Sequence, residues 1–524
     1  GGDSNVAMGY KALYSNTTGS FNIAIGNQAL EANVGGGSNV AIGLEVLTAN
    51  TSGAGNIGIG THALLANTTG EDNVAVGGSS MYKNTTGTYN VAIGSAALSQ
   101  NTTGTGNTAL GWQSMYANTT ADYNTSVGYQ SLVTNTTGAS IVAIGYRSLR
   151  SNTTGANSVA IGYETLYSAT TEGSLTAIGY QAAYSNTTGT ATTALGYQAL
   201  YSNTTGELNT GVGYGVLYNN TTGDNNIAMG YRAMNSNTTG SGSVGIGYEA
   251  LYTATTEGSL TAIGYQAAKA NTSGTGTVAV GYQALTANTT GEYNIALGYQ
   301  ALYTNTTGGY STAFGYQALY SNTTGGHNQA IGYQALYSNT TGERNVAIGS
   351  NALKYNTTGH YNTAVGFYAI QQNTTGNKNT GVGYNNLNAN TTGSGNTALG
   401  FNNMQYNTTG DSNTAIGYQS LYQNTTGDNN VALGRYALND NTTGDGSVAI
   451  GNSALQEATT EGSLTAIGYE AAQENTTGTG TVAVGYQALT ANTTGDYNSA
   501  LGTYALKSNT TGNQNTSVGY QSLY

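Results

Sequence analysis

The chain has no cysteine and no proline, and only 6% of its 524 residues are charged. Without cysteine there is neither a disulfide framework nor a thiolate metal site. Eleven Lys and Arg against 23 Asp and Glu leave a formal net charge of −12. So little positive charge cannot neutralise a phosphate backbone, and no nucleic-acid partner is expected. No apolar run reaches the ~18 residues of a membrane-spanning helix, so no such span is expected. Tryptophan is nearly absent too: Trp112 stands alone against 43 Tyr. What fills the chain instead is Gly, at 79 residues, together with Asn and Thr, all poor helix formers.

These residues recur in one phase. Asn16, Asn50, Asn67, Asn84 and Asn101 each open the word Asn-Thr-(Thr/Ser)-Gly on a period of 17, and the phase holds to Asn509 without insertion or deletion. With that Asn as position 1, the consensus is N-T-T-G-x-x-N-x-A-I-G-Y-Q-A-L-Y-S, in about 31 copies. Position 11 is Gly in every copy, and position 10 is always apolar, as in Ile25, Val76, Leu110, Met229 and Phe314. Position 15 is almost always Leu or Met. Strict length preservation is what a stack of coils demands, because an insertion would break the ladders on both sides. Residues 1–524 therefore read as a single continuous array with no internal domain boundary. Neither end departs from the repeat, so the chain is expected to be a segment of a longer fibre protein.

Positions 7 to 10 read as a strand of period 2. Positions 8 and 10, hence Ile348, are expected to face the core, as is Leu353 at position 15. A second short strand is expected over positions 13 to 16. Gly at positions 4 and 11, the latter including Gly298 and Gly332, should supply positive-φ corners. The fold class is all-β, a parallel β-solenoid with one copy per coil. Three copies opened by Ala169, Ala254 and Ala458 share a variant, A-T-T-E-G-S-L-T-A-I-G-Y-(Q/E)-A-A. In them position 7 becomes Leu (Leu175, Leu260, Leu464) while position 15 shrinks to Ala (Ala183, Ala268, Ala472). Such coupled exchange points to a volume-conserving swap inside one core. Common descent is the alternative, since 253–303 and 457–507 are near copies.

The segments Asn157-Ser158-Val159-Ala160-Ile161-Gly162 and Gly446-Ser447-Val448-Ala449-Ile450-Gly451 resemble the head repeats of trimeric autotransporter adhesins, the YadA-like head family. The N-T-T-G…A-I-G-Y-Q-A-L arrays also look like those of bacterial and phage tail-fibre-domain proteins. The resemblance implies a left-handed β-roll, a parallel homotrimer, and an extracellular, cell-surface or virion-fibre location.

Every position of a stacked repeat forms a column and is judged as one. Position 1 opens N-x-(S/T) in 26 copies, formally a glycosylation acceptor; Asn16, Asn67, Asn84, Asn101, Asn152, Asn305, Asn339 and Asn424 are candidates. Against this stands an Asn ladder bonded coil to coil, since acceptors every ~5 Å are crowded for branched sugars. Tyr at positions 12 and 16, as in Tyr299 and Tyr303, suggests aromatic packing with lateral contact, or an exposed stripe for sugars. Thr at 2 and 3 would present only one outward column, which argues against an ice-binding grid. His62, His327 and His360 lie in different columns, and no acid recurs at a fixed offset to activate the many Ser and Thr, so no catalysis is expected. Glu172, Glu257 and Glu461 read as solvated turn residues. Glu71-Asp72 and its equivalents do not form a calcium-binding nonapeptide; neither metal nor cofactor is expected. The expected role is a stiff structural fibre that associates with its own kind, as a homotrimer or by end-to-end or lateral packing. The alternative is an adhesin whose Asn/Thr/Tyr face holds a surface glycan or a cell-surface receptor.

Overall fold

A computed structural model describes all residues from Gly1 to Tyr524. The chain is a parallel β-solenoid with 31 short strands, from β1 (Val6–Met8) to β31 (Thr516–Val518), one per 17-residue coil. It packs as two compact units, Gly1–Leu260 and Thr261–Tyr524. The first holds β1 to β15 (Val244–Ile246), and the second β16 (Thr261–Ile263) to β31. Within each unit every strand pairs in register with the next coil, as Ala24 does with Ala41 and Ala296 with Ala313.

The coil Asn288–Thr304 shows how the sequence closes the turn. Ile295-Ala296-Leu297 is its strand, favoured by branched and apolar residues that suit a pleated surface. Gly298 ends it at φ 139°, and a Cβ there would lie 2.4 Å from the Gly315 carbonyl oxygen. Gly332 is equivalent, with φ 136° and 2.5 Å to the Gly349 oxygen. This corner is as expected. The second strand is not: positions 13 and 15, here Gln300 and Leu302, sit in the left-handed region at φ 51° and 52°. A regular strand cannot form where alternate residues are left-handed. The gain is in bonding. Gln300 N–H donates back to the Tyr282 carbonyl at 2.9 Å, whereas Leu302 N–H donates forward to that of Ala318 at 3.0 Å. Each left-handed residue costs about 1–2 kcal/mol, offset by backbone bonds to both neighbouring coils. Position 6 is left-handed as well, as at Tyr293.

Gly at position 4 is favoured for space rather than for φ. A Cβ on Gly291 would meet the Gly308 oxygen at 2.3 Å and the Asn288 Oδ1 at 2.5 Å.

The core also corrects the sequence expectation. Position 9 faces inward, while 8 and 10 face out: Ala347 is 0% exposed and Ile348 37%. Ile348 is therefore not a core residue. A 17-residue coil encloses too narrow a space for a branched side chain in every strand, and only Ala, Gly or Ser occupies position 9. The interior is completed by position 14, usually Ala, and position 15; Leu353, Leu175 and Ala183 are all buried. Asn at positions 1 and 7 is interior as well. Where position 9 loses its methyl, a neighbour has grown. A Cβ on Gly58 would lie 2.5 Å from Val46, on Gly245 2.6 Å from Met234, and on Gly381 2.7 Å from Ile370. Gly211 faces Val216 in the same way, at 3.1 Å. Such exchanges mark a core packed to solid density.

Candidate functional site

The interior ladders come first, since they decide which polar groups are free. Asn322 Nδ2 donates to Oδ1 of Asn305 in the coil before, at 2.8 Å, and to the Gly325 carbonyl of its own coil, at 2.8 Å. Asn328, at position 7, accepts the Asn345 N–H at 3.0 Å and donates to the Gly342 carbonyl at 2.8 Å. Thr323 Oγ1 donates to the Thr340 carbonyl at 3.0 Å. Each bond is worth about 0.5–1.5 kcal/mol net, and most coils repeat the set, in the manner of Asn ladders in stacked sheets.

In the folded chain these ladders take up the glycosylation candidates. Asn67, Asn84, Asn101, Asn152, Asn305, Asn339 and Asn424 are buried, and the Nδ2 a glycan would need is already donated to the preceding Asn. Asn16, in a terminal coil, is half-buried, and its Nδ2 bonds the Gly19 carbonyl at 3.0 Å.

Position-12 rings stack along the coils. Trp112 and Tyr129 through Tyr248 form nine consecutive rings in the first unit, with centroids 4.9–5.3 Å apart. Tyr265 to Tyr333 form five in the second unit. Tyr299 belongs to this column, and at position 16 Tyr303 stacks on Tyr320 and Tyr320 on Tyr337. Rings this close cover one another's faces, so no sugar can slide between them; edges and hydroxyls remain. Burial pushes the Tyr163, Tyr184, Tyr201 and Tyr320 phenols above their ordinary range, and a hydrogen bond to Glu470 does the same for Tyr469. These phenols are neutral donors at physiological pH.

Beside the aromatic column runs one that sequence reasoning passed over. At position 13 Gln300 donates to Gln283, Gln317 to Gln300 and Gln334 to Gln317, at 3.0–3.1 Å. Its signal was present as Gln recurring at every seventeenth residue from Gln266 to Gln334. The outward strand face at positions 8 and 10 was also missed. Its signal was the small size of position 9, which reserves that position for the interior.

The remaining singled-out residues stay apart. His62 lies 3.3 Å from Glu45, His327 stacks on Tyr310 at 5.0 Å, and His360 Nδ1 accepts the Glu343 N–H at 3.0 Å. Glu172, Glu257 and Glu461 each accept a bond from the preceding Thr hydroxyl on the surface. No three His, Asp or Glu side chains gather as a metal site requires, and no helix is long and apolar enough to cross a membrane. Comparison with known protein families and with curated proteins finds no match for this chain.

Proposed function

We propose that the chain is a structural segment of an extracellular or virion fibre, self-associating through the outward face of its strands as a parallel homotrimer of left-handed rolls. One observation carries this: across all 31 strands, no residue at position 8 or 10 is charged. Position 10 is always apolar, and position 8 is Val, Ile or Thr in all but Gln329 and Ser499. Phe314, Ile331, Ile348 and Leu501 are exposed on it. A contiguous apolar stripe of this kind marks an interaction surface. Its side chains repeat at the ~4.8 Å strand spacing, so a second copy, carrying the same spacing, stays in register with it coil after coil. The Asn, Gln and Tyr ladders stiffen each coil against its neighbours, which suits a spacer.

Native mass spectrometry and light scattering on the full chain test the association. Three copies are expected at micromolar concentration. The triple variant Ile331→Asp/Ile348→Asp/Val365→Asp, all outward, should give monomers with unchanged circular dichroism. A monomeric wild-type chain, or a variant that remains trimeric, removes the proposal.

A further inference from the structure

We propose that the notch at Gly215 binds an acetamido-bearing sugar, an N-acetylhexosamine unit of a glycan. This goes beyond the fibre role and rests on other residues. In the position-13 column consecutive Gln donate from Nε2 to Oε1 of the coil before: Gln130 to Gln113 and Gln198 to Gln181, both at 3.0 Å. Arg147 keeps the same direction, its Nε reaching Gln130 Oε1 at 3.4 Å. Gly215 interrupts the column. Gln198 Oε1 then receives no donor, although its Nε2 is committed to Gln181. On the far side the Arg232 guanidinium has neither a hydrogen bond nor a carboxylate partner and lies over the Tyr231 ring at 5.3 Å. The gap lacks a donor toward Gln198 and an acceptor toward Arg232. A secondary amide supplies both, N–H at one end and C=O at the other.

A second column breaks at the same place. Tyr167, Tyr184, Tyr201 and Tyr218 stack at 5.1–5.2 Å, and Asn235 then stands where the next ring would be. No ring stacks on the far face of Tyr218. Asn235 turns inward, its Nδ2 donating to the Gly215 carbonyl at 2.8 Å, and so fixes the floor. The two breaks leave a cavity of about 320 Å³ bounded also by Tyr214, Asn219 and Tyr252. An open ring face beside an amide-shaped polar gap matches a pyranose carrying an acetamido group. Its C–H face lies on Tyr218, its acetamide fills the gap, and its hydroxyls meet Asn219 and the phenols. A carboxylate would satisfy Arg232 and leave Gln198 unpaired; a plain hexose would leave the gap empty. The hollow at Ser79 and Ala96 in the same column, about 390 Å³, lacks this pairing, because Gln113 already accepts from Gln130 and no Arg lies opposite.

The test uses the full chain with methyl N-acetyl-β-glucosaminide as probe, followed by saturation-transfer NMR and calorimetry. Methyl β-glucoside, acetate and N-acetylglutamine amide serve as comparisons. The N-acetyl sugar should bind, and glucoside and acetate at least about tenfold more weakly, because a site built around an amide rejects analogues that leave its groups unpaired. Gly215→Gln restores the ordinary occupant at a φ that Gln198 already adopts (57° against 48°), so the coil should fold and lose at least tenfold in affinity. Arg232→Gln should lose a similar factor. The proposal is overturned by a wild-type chain that binds no N-acetyl sugar, or by Gly215→Gln binding as tightly as wild type. It is overturned equally by glucoside, acetate or the glutamine amide matching the N-acetyl sugar. None of these outcomes bears on the number of chains in the fibre.

Discussion

The coils Asn339–Tyr355 and Ala169–Ser185 enclose the same kind of interior with different chemistry. The first is lined by Asn339, Asn345 and Leu353, and the second by Ala169, Leu175 and Ala183, all buried. In the first, Gly is favoured at position 4, because a Cβ on Gly342 would lie 2.4 Å from the Asn339 Oδ1; among Asn-opened coils only Ala121 departs from it. In the second that amide is gone, so Glu172 can stand at position 4. The close approach moves to Gly173, whose Cβ would lie 2.2 Å from the Ala156 oxygen. The displaced Gly and the lost Asn occur together in all three variant coils. The ladders are interrupted rather than abandoned. Leu175 N–H finds the Ser158 hydroxyl at 3.3 Å in place of an Asn Oδ1, and Leu260 and Leu464 use Ser243 and Ser447 alike. One cost is visible: Asn237, next to Ala254, keeps a buried Oδ1 with no partner. Polar ladder and apolar filling are interchangeable inside the coil as long as backbone spacing is kept.

The largest expected effect therefore lies in what both coils share. Gly298→Val, or Gly179→Val in the variant coil, adds left-side backbone strain to overpacking against a carbonyl, together about 4 kcal/mol. Hydrogen exchange should show both coils losing protection alike; if the variant coil tolerated Val, the corner would not be common to the two. Next comes the swap itself. Leu353→Ala should cost about 3 kcal/mol, and adding Asn345→Leu should restore about 1 kcal/mol through coupling within one interior. A double-mutant cycle with strictly additive terms would separate positions 7 and 15. A smaller loss, about 2 kcal/mol, is expected for Asn339→Ala, which leaves buried groups of Asn322 and Asn356 without their partner. Local exchange rates of the flanking coils would report it.

The smallest effect is a matter of pH and compares two variant coils directly. Position 17 is Ser151, Ser168 and Ser185 around the first, but Asp440, Glu457 and Glu474 around the one opened by Ala458. Burial raises Asp440 above its ordinary 3.8, and burial, with help from Glu474 and Asp440, raises Glu457 above 4.5. A raised carboxyl binds its proton more tightly when folded, so stability increases as pH falls through the raised value toward the ordinary one. Protection at 441–474 should rise on mild acidification while 152–185 stays level. Equal responses would mean the carboxylates are not the cause.

Sequence alone determined the period, the parallel stacking and the coupled exchange at positions 7 and 15, because stacking forces every coil to one length and each interior to one volume. It also fixed the corner at position 11, where only Gly is ever found. It could not say which way the strand faces. Apolar residues at 8 and 10 looked like a core, yet the enclosed space admits only Ala, Gly or Ser at position 9, and that narrowness exists only once the coil is closed. The fate of the Asn column was equally hidden: N-x-(S/T) is identical in a glycan acceptor and in a buried amide ladder, and burial alone separates them. The notch at Gly215 belongs to the tertiary structure as well. Gly215 and Asn235 are twenty residues apart in sequence and become neighbours only when one coil is laid upon the next.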